Sequence, residues 1–150
     1  MKIEAAYLNH IALISEAHNH KIEQTLKGDH VLKNTWLCAA AHFWKQLQLV
    51  LAIDSDVGRT VRLKEIGKEI ENATTSQIVI EFQKTCFPNV PVKIIGATWE
   101  YSGRTMLDIA TPILQLNPGN ERKYLWREVD KELLKLKTLW MIPPGDLTDN

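Results

Sequence analysis

Apolar residues recur at helical spacing over most of this chain, and the clearest run lies near its C-terminus. Trp126, Val129, Leu133, Leu136 and Trp140 follow one another at steps of three, four, three and four residues. These steps keep all five side chains on one side of an α-helix, in the pattern of helices that pack side by side. We call this set the tryptophan seam. It predicts a last helix that ends near Met141, just before the helix-stopping residues 143–145.

Two helices are predicted in the N-terminal third of the chain. The first is expected over residues 3–26, with Gly28 just beyond its end as a C-terminal stop. The second begins at Asp29 or Asn34 and continues to about Ile53. Its apolar stripe consists of Trp36, Ala40, Phe43, Leu47 and Val50. Further apolar positions widen this stripe, so we expect the second helix to form the centre of the core.

The segment after the second helix is harder to assign. Residues 54–58 are typical of a loop, and Thr60 is expected to cap a third helix that ends near Asn72. Residues 76–96 fit two structures. Helical spacing of the apolar residues predicts a helix capped by Ser76, whereas their alternation predicts a short β-hairpin. We favour the helix, because the flanking elements are helical and an isolated hairpin is only marginally stable.

Turn-forming residues divide the C-terminal half. Ser102-Gly103 predicts a break in the chain, and Thr105 with Asp108 resembles a capping box that opens a short helix. That helix is expected to end or kink at Thr111-Pro112, because the residue before a proline disfavours helical geometry. Residues 117–120, with the sequence Asn-Pro-Gly-Asn, predict a turn before the last helix.

Together these elements predict a mainly α protein, a bundle of about five helices with a possible short hairpin within 76–96. We expect one domain over residues 1–142 and a flexible C-terminal tail over 143–150. The chain has 150 residues, of which 45% are hydrophobic and 24% charged. These values are ordinary for a globular domain and argue against wholesale disorder.

Charge and cysteine content narrow the functional classes. Lys plus Arg and Asp plus Glu both number 18, so the formal net charge is zero, which argues against a dedicated polyanion binder. Cys38 and Cys86 are the only cysteines, and Cys38 falls within a predicted helix, so a disulfide framework is not expected. No apolar run approaches 18 residues, so no membrane span is expected, and the N-terminus lacks a secretory pattern. The chain is therefore predicted to be cytoplasmic.

No motif in the chain assembles a catalytic or metal site. The five histidines are His10, His18, His20, His30 and His42. Cys38 and His42 stand one helical turn apart, but a metal site would need two further ligands. A thiol in the middle of a helix is more often an inert packing residue than a nucleophile. We predict no metal and no cofactor, while an enzyme whose site is assembled from dispersed polar residues stays open as an alternative.

The tripeptide Gly-Arg-Thr occurs twice, each time where a helix start is predicted. It supplies Arg59 with Thr60, and Arg104 with Thr105. Backbone N–H groups at a helix start, beside a guanidinium, suit a phosphate or a carboxylate. Gly and Thr are also common just before a helix begins, and a tripeptide can recur by chance, so anion binding is a secondary expectation.

The last helix carries a basic stripe on a second face. Lys123, Arg127, Lys131 and Lys135 follow one another at steps of four residues. Such a stripe could lie along a nucleic-acid backbone. Acidic residues are interleaved with it, however, as on an ordinary solvated helix face.

Five tryptophans and two strong helical faces, without a set of reactive groups, favour an interaction protein over an enzyme. We therefore expect a non-catalytic helical regulator, inhibitor or adaptor that binds a protein partner or forms a homodimer. The tryptophan seam is the expected contact surface, since tryptophan is enriched at interface anchors. Binding of nucleic acid or phosphate through the basic and Gly-Arg-Thr residues is the alternative.

Overall fold

The structure is a computed structural model that describes residues 29–140 together with His20, Lys21, Gln24 and Leu26. Within this part of the chain lie five α-helices and no strand: α1 (His30–Leu51), α2 (Asp56–Glu71), α3 (Gln77–Cys86), α4 (Val92–Leu114) and α5 (Asn120–Trp140). A single 3-10 turn, Ala73–Thr75, joins α2 to α3. The prediction of a mainly α fold is confirmed. The predicted helix over 3–26 and the tail over 143–150 lie outside the described residues, apart from the four positions named above.

Helix α1 lies at the centre of the bundle, as its wide apolar face predicts. Asp29 caps its start, where Oδ1 accepts hydrogen bonds from Val31 N at 2.9 Å and Leu32 N at 3.2 Å. Phe43 and Leu47 are completely buried. Helices α2, α4 and α5 all pack against α1, so one helix connects most of the core.

The N-cap of helix α2 lies five residues before the predicted one. Ser55, not Thr60, is its N-cap, and Ser55 Oγ accepts a hydrogen bond from Gly58 N at 2.9 Å. Thr60 already lies in the helix, where its Oγ1 donates to the carbonyl oxygen of Asp56 at 2.9 Å. The predicted loop over 54–58 is therefore wrong in its second half. A carboxylate in the first turn, supplied by Asp56, favours the earlier start.

Residues 76–96 form α3 and the start of α4, so the favoured helix is confirmed and the hairpin alternative is wrong. Ser76 stands at the N-cap position in extended geometry, and Val79 is completely buried. The Gln83 side chain amide donates to the carbonyl oxygens of Pro88 at 3.1 Å and Val90 at 3.0 Å. These bonds hold the loop that turns the chain from α3 into α4.

Helix α4 runs without interruption through Ser102-Gly103, so the predicted break there is wrong. Ser102 Oγ donates to the carbonyl oxygen of Trp36 at 2.7 Å, which ties α4 to α1. Thr105 is no cap, because its Oγ1 donates back to Tyr101 O at 2.9 Å. Pro112 falls inside the last turn of the helix, which ends at Leu114. The small residues at 102 and 103 thus mark a close helix crossing and not a turn.

None of the helices within the described ranges is both long enough and apolar enough to span a membrane.

Candidate interaction surface

The tryptophan seam faces α1. Its members Trp126, Val129, Leu136 and Trp140 are between 3% and 8% exposed, and Leu133 is half-buried. Trp126 stacks on Trp44, with ring centroids 3.9 Å apart and planes inclined by 16°. Trp140 meets Trp36 edge to face at 5.9 Å. The seam therefore joins α5 to the central helix. Partner binding by these five residues stays a prediction, and any partner would meet mainly what lies beside them.

A polar contact fixes how α5 is rotated against α1. Trp44 Nε1 donates to Asp130 Oδ1 at 2.6 Å, so the stacked indole pair is held at its rim by a charge-assisted hydrogen bond. At the other end of the helix, the Lys33 ammonium lies 5.3 Å from the centroid of the Trp140 ring. Beside the seam, α5 carries a second strip of residues that is turned towards solvent and consists of Asp130, Leu133, Leu134 and Lys137.

That strip and α1 enclose a groove beside the seam, with a volume of about 390 Å³. We call it the α1/α5 groove. Its α1 wall is formed by Leu37, Cys38 and Ala41, and its α5 wall by Asp130, Leu133, Leu134 and Lys137. The α5 residues are spaced by three, one and three positions, which keeps them on one helix face. Leu134 is 64% exposed at the mouth.

Sequence reasoning named Leu133 for the seam but missed Asp130, Leu134 and Lys137 as members of a second stripe. A signal was present: two adjacent leucines flanked, one turn away on each side, by opposite charges. The α1 wall carried no such signal, because Leu37, Cys38 and Ala41 become neighbours of this stripe only in the folded chain.

The groove contains a free thiol in an apolar setting. Burial raises the pKa of Cys38, the nearby Cys86 raises it further, and the Lys137 ammonium partly opposes both effects. Cys86 is also free, and it is exposed at the end of α3. The thiolate is the reactive species, so the partial burial of Cys38 and its raised pKa both slow its reactions.

We expect alkylation by iodoacetamide at pH 8 to modify Cys86 several-fold faster than Cys38, because Cys86 is exposed whereas Cys38 is partly buried in the groove, and burial raises the pKa of the Cys38 thiol. Raising the pH towards the elevated pKa of Cys38 should narrow the gap. Peptide mass spectrometry of a labelling time course measures both rates. Equal rates at pH 8 in the folded protein would show that the groove does not shield its thiol.

The two Gly-Arg-Thr tripeptides differ in position. Only the first lies at a helix start, in the first turn of α2, where Arg59 pairs with Asp56 and donates to Ile53 O at 2.7 Å. The second lies in the middle of α4. There Arg104 pairs with Glu100 at 3.0 Å, and Thr105 is buried. The second tripeptide therefore offers no helix start to an anion.

Arg122 is a buried cation that sequence reasoning missed. It is 8% exposed, and it donates to the carbonyl oxygen of Leu51 at 3.2 Å. Burial lowers its pKa, and the nearby guanidinium of Arg59 lowers it further. The two arginines thus lie together at the end of α1, where carbonyl oxygens carry the negative end of the helix dipole. This arrangement caps α1.

Two of the four residues in the basic stripe of α5 pair with carboxylates on the same helix. Lys131 lies 3.1 Å from Glu128, and Lys135 lies 3.4 Å from Glu132. Lys123 and Arg127 are exposed near the start of the helix. The stripe consequently presents alternating charge and not a continuous positive surface.

One polar cluster connects α1 and α2. His42 Nε2 donates to Glu69 Oε1 at 2.8 Å, and Gln46 Nε2 also donates to this oxygen at 3.3 Å. Arg62 donates in turn to Gln46 Oε1 at 3.1 Å. The imidazole ring also lies against Trp99, with centroids 5.8 Å apart. The imidazole and carboxylate of the His42–Glu69 pair are groups that can transfer a proton, but neither residue lines the α1/α5 groove.

Among residues 29–140 and the four described positions before them, no three His, Cys, Asp or Glu side chains are grouped to hold a metal ion. Comparison of the chain with protein-family models, curated proteins and solved structures found no match.

Proposed function

We propose that this protein is a non-catalytic interaction protein, a regulator, inhibitor or adaptor, and that it binds another protein through the α1/α5 groove. The observation that carries the proposal is the groove itself, an apolar depression next to an exposed leucine. In this proposal the partner contacts Leu133 and Leu134 of α5, and the buried tryptophans of the seam hold α5 against α1.

The groove has the features of a protein-binding surface. Leu37, Leu133 and Leu134 give it apolar walls. Covering this apolar surface with a partner removes it from water, which contributes favourable binding free energy. Asp130 and Lys137 stand at the rim and supply polar contacts of both signs. An apolar centre inside a polar rim is the usual anatomy of a protein interface.

Two exposed leucines of α5 provide a matched test. Leu134 lines the groove, as one of the α5 stripe Asp130, Leu133, Leu134 and Lys137, which we call the groove stripe. Leu139 is 71% exposed, and at 100° per residue it lies about 180° around the helix from the middle of that stripe. We expect the wild type to occur in a complex in its source cells, Leu134→Gln to remove that complex, and Leu139→Gln to leave it intact. Native mass measurement of each variant recovered from those cells shows which species it forms.

Equal loss with both variants would mean that general surface hydrophobicity, and not the groove, holds the complex. Retention of the complex by Leu134→Gln would contradict binding through the groove. Circular dichroism provides the folding control, since both leucines are exposed and their substitution should change stability by less than about 0.5 kcal/mol.

The alternatives draw less support from the arrangement of side chains. Nucleic-acid binding would use a basic stripe in which Lys131 and Lys135 already pair with carboxylates. Phosphate binding at the Gly-Arg-Thr tripeptides would rely on Arg59 alone, because Arg104 lies mid-helix. For an enzyme assembled from dispersed polar residues, the described residues offer the His42–Glu69 pair, which does not line the groove.

A further inference from the structure

We infer that the occupant of the α1/α5 groove is a second copy of this chain, docked so that the two α5 helices lie antiparallel across a twofold axis. This inference rests on the proposed function, because it identifies the partner that the groove binds. It is carried by the order of charges along the groove stripe of α5.

The stripe is complementary to its own reverse. Leu133 and Leu134 lie at its centre, with Asp130 one turn before and Lys137 one turn after. An antiparallel copy centred on the two leucines reverses this order. Asp130 then meets the partner's Lys137, and Lys137 meets the partner's Asp130. A twofold interface requires such self-complementarity, because the same patch serves both subunits.

The charges of the stripe also decide between the two possible orientations of the second copy. A parallel copy in the same register would instead place Asp130 against the partner's Asp130 and like charges throughout. The antiparallel arrangement is therefore the one that the charges favour.

The shape of the groove agrees with this occupant. Ala41 and Cys38 are small and lie on the α1 wall, which leaves room for a side chain from outside. Leu134 lines the groove and is 64% exposed, so a partner that covers the groove would contact it. In the twofold arrangement each Leu134 enters the groove of the other copy, so both exposed leucines are buried by one contact.

The first measurement is the mass of the purified full chain across a concentration series, by light scattering and sedimentation equilibrium. We expect a monomer–dimer equilibrium for the wild type, at least about tenfold weaker dimerisation for Leu134→Gln, and wild-type behaviour for Leu139→Gln, because only Leu134 lies on the stripe. A purified wild type that stays monomeric up to its solubility limit overturns the inference. So does equal dimerisation of Leu134→Gln.

Charge exchange tests the antiparallel register directly. Lys137→Asp places two acids on the stripe and Asp130→Lys places two lysines there, so each variant alone should dimerise at least about tenfold more weakly than the wild type. A one-to-one mixture restores both opposite pairs and should form a heterodimer. If the mixture associates no better than the separate variants, the register is wrong and the inference fails.

Asp130→Lys also removes the hydrogen bond from Trp44, so a second readout uses the unchanged chain. Cys38 lies inside the covered groove and Cys86 outside it. Dilution of the wild type below its dimerisation range should therefore speed iodoacetamide labelling of Cys38 several-fold and leave Cys86 unaffected. A Cys38 rate that is independent of concentration contradicts the inference.

The two proposals fail separately. If the purified chain is monomeric but Leu134→Gln still loses the complex found in cells, the groove binds a different protein and only the second-copy inference falls. If the complex in cells survives Leu134→Gln, the proposed function falls.

Discussion

Replacement of Trp126 by alanine should lower the free energy of unfolding by about 3–5 kcal/mol, the range for deleting a large buried aromatic side chain. Trp126 is 4% exposed and stacks on Trp44 at 3.9 Å between centroids. The substitution removes this stacked contact and leaves a cavity between α5 and α1. Folded proteins of this size are stable by only about 5–15 kcal/mol, so the loss is a large share of the total.

Urea denaturation followed by far-ultraviolet circular dichroism measures this effect. Leu139→Ala is the matched control, because Leu139 is exposed on the same helix and its loss should change stability by less than about 0.5 kcal/mol. A Trp126→Ala protein as stable as the control would show that α5 does not depend on the stacked pair. This prediction also explains why binding is better tested at Leu134, where a lost complex cannot be confused with a lost fold.

The sequence was sufficient to predict α1 and α5 because each buries a long apolar face against neighbours. Helical spacing of Trp36, Phe43 and Leu47 in one helix, and of Trp126 and Trp140 in the other, reports such a face directly. Both starts are also marked locally, by the Asp29 cap and by the turn over 117–120. Local signals and burial agree in these elements, so pattern and fold agree.

The helix starts that were misplaced share a different cause. Ser102-Gly103 has the composition of a turn, yet its small side chains are required where α4 crosses α1, and only the crossing distinguishes the two roles. Ser55 and Thr60 are both acceptable caps, and the structure uses the earlier one. At Ser102-Gly103 the deciding contact joins residues that are distant in sequence. At Ser55 and Thr60 two nearby residues are almost equally good caps.

The candidate site was predictable only by half. The seam indicates that α5 packs against another helix. That helix is α1, whose Trp36 and Trp44 lie more than 80 residues from their contacts on α5 in sequence. The groove is built from both helices, so its α1 wall could not be assigned before their rotation was known. That rotation depends on the Trp44–Asp130 hydrogen bond, a pairing of side chains that no periodicity reveals.

A pair of glycine substitutions tests the close crossing of α4. A Cβ at Gly103 would lie 2.7 Å from Ile70 Cγ1 and 2.8 Å from Phe43 Cε2, and both of these side chains are buried. Gly103→Ala should therefore destabilise the protein by about 1–3 kcal/mol through overpacking, despite the higher helix propensity of alanine. At Gly67 a Cβ meets nothing within 4 Å, so Gly67→Ala should stabilise it by up to about 1 kcal/mol.

Urea denaturation of both variants beside the wild type gives the two changes in the free energy of unfolding. Their opposite signs are the decisive result, because the same substitution is made inside a helix in both cases and only the surroundings of the new methyl group differ. Stabilisation by Gly103→Ala would mean that Phe43 and Ile70 can move aside at little cost. The crossing of α4 over α1 and α2 would then be looser than these contact distances require, and the small residue at 103 would have no packing role.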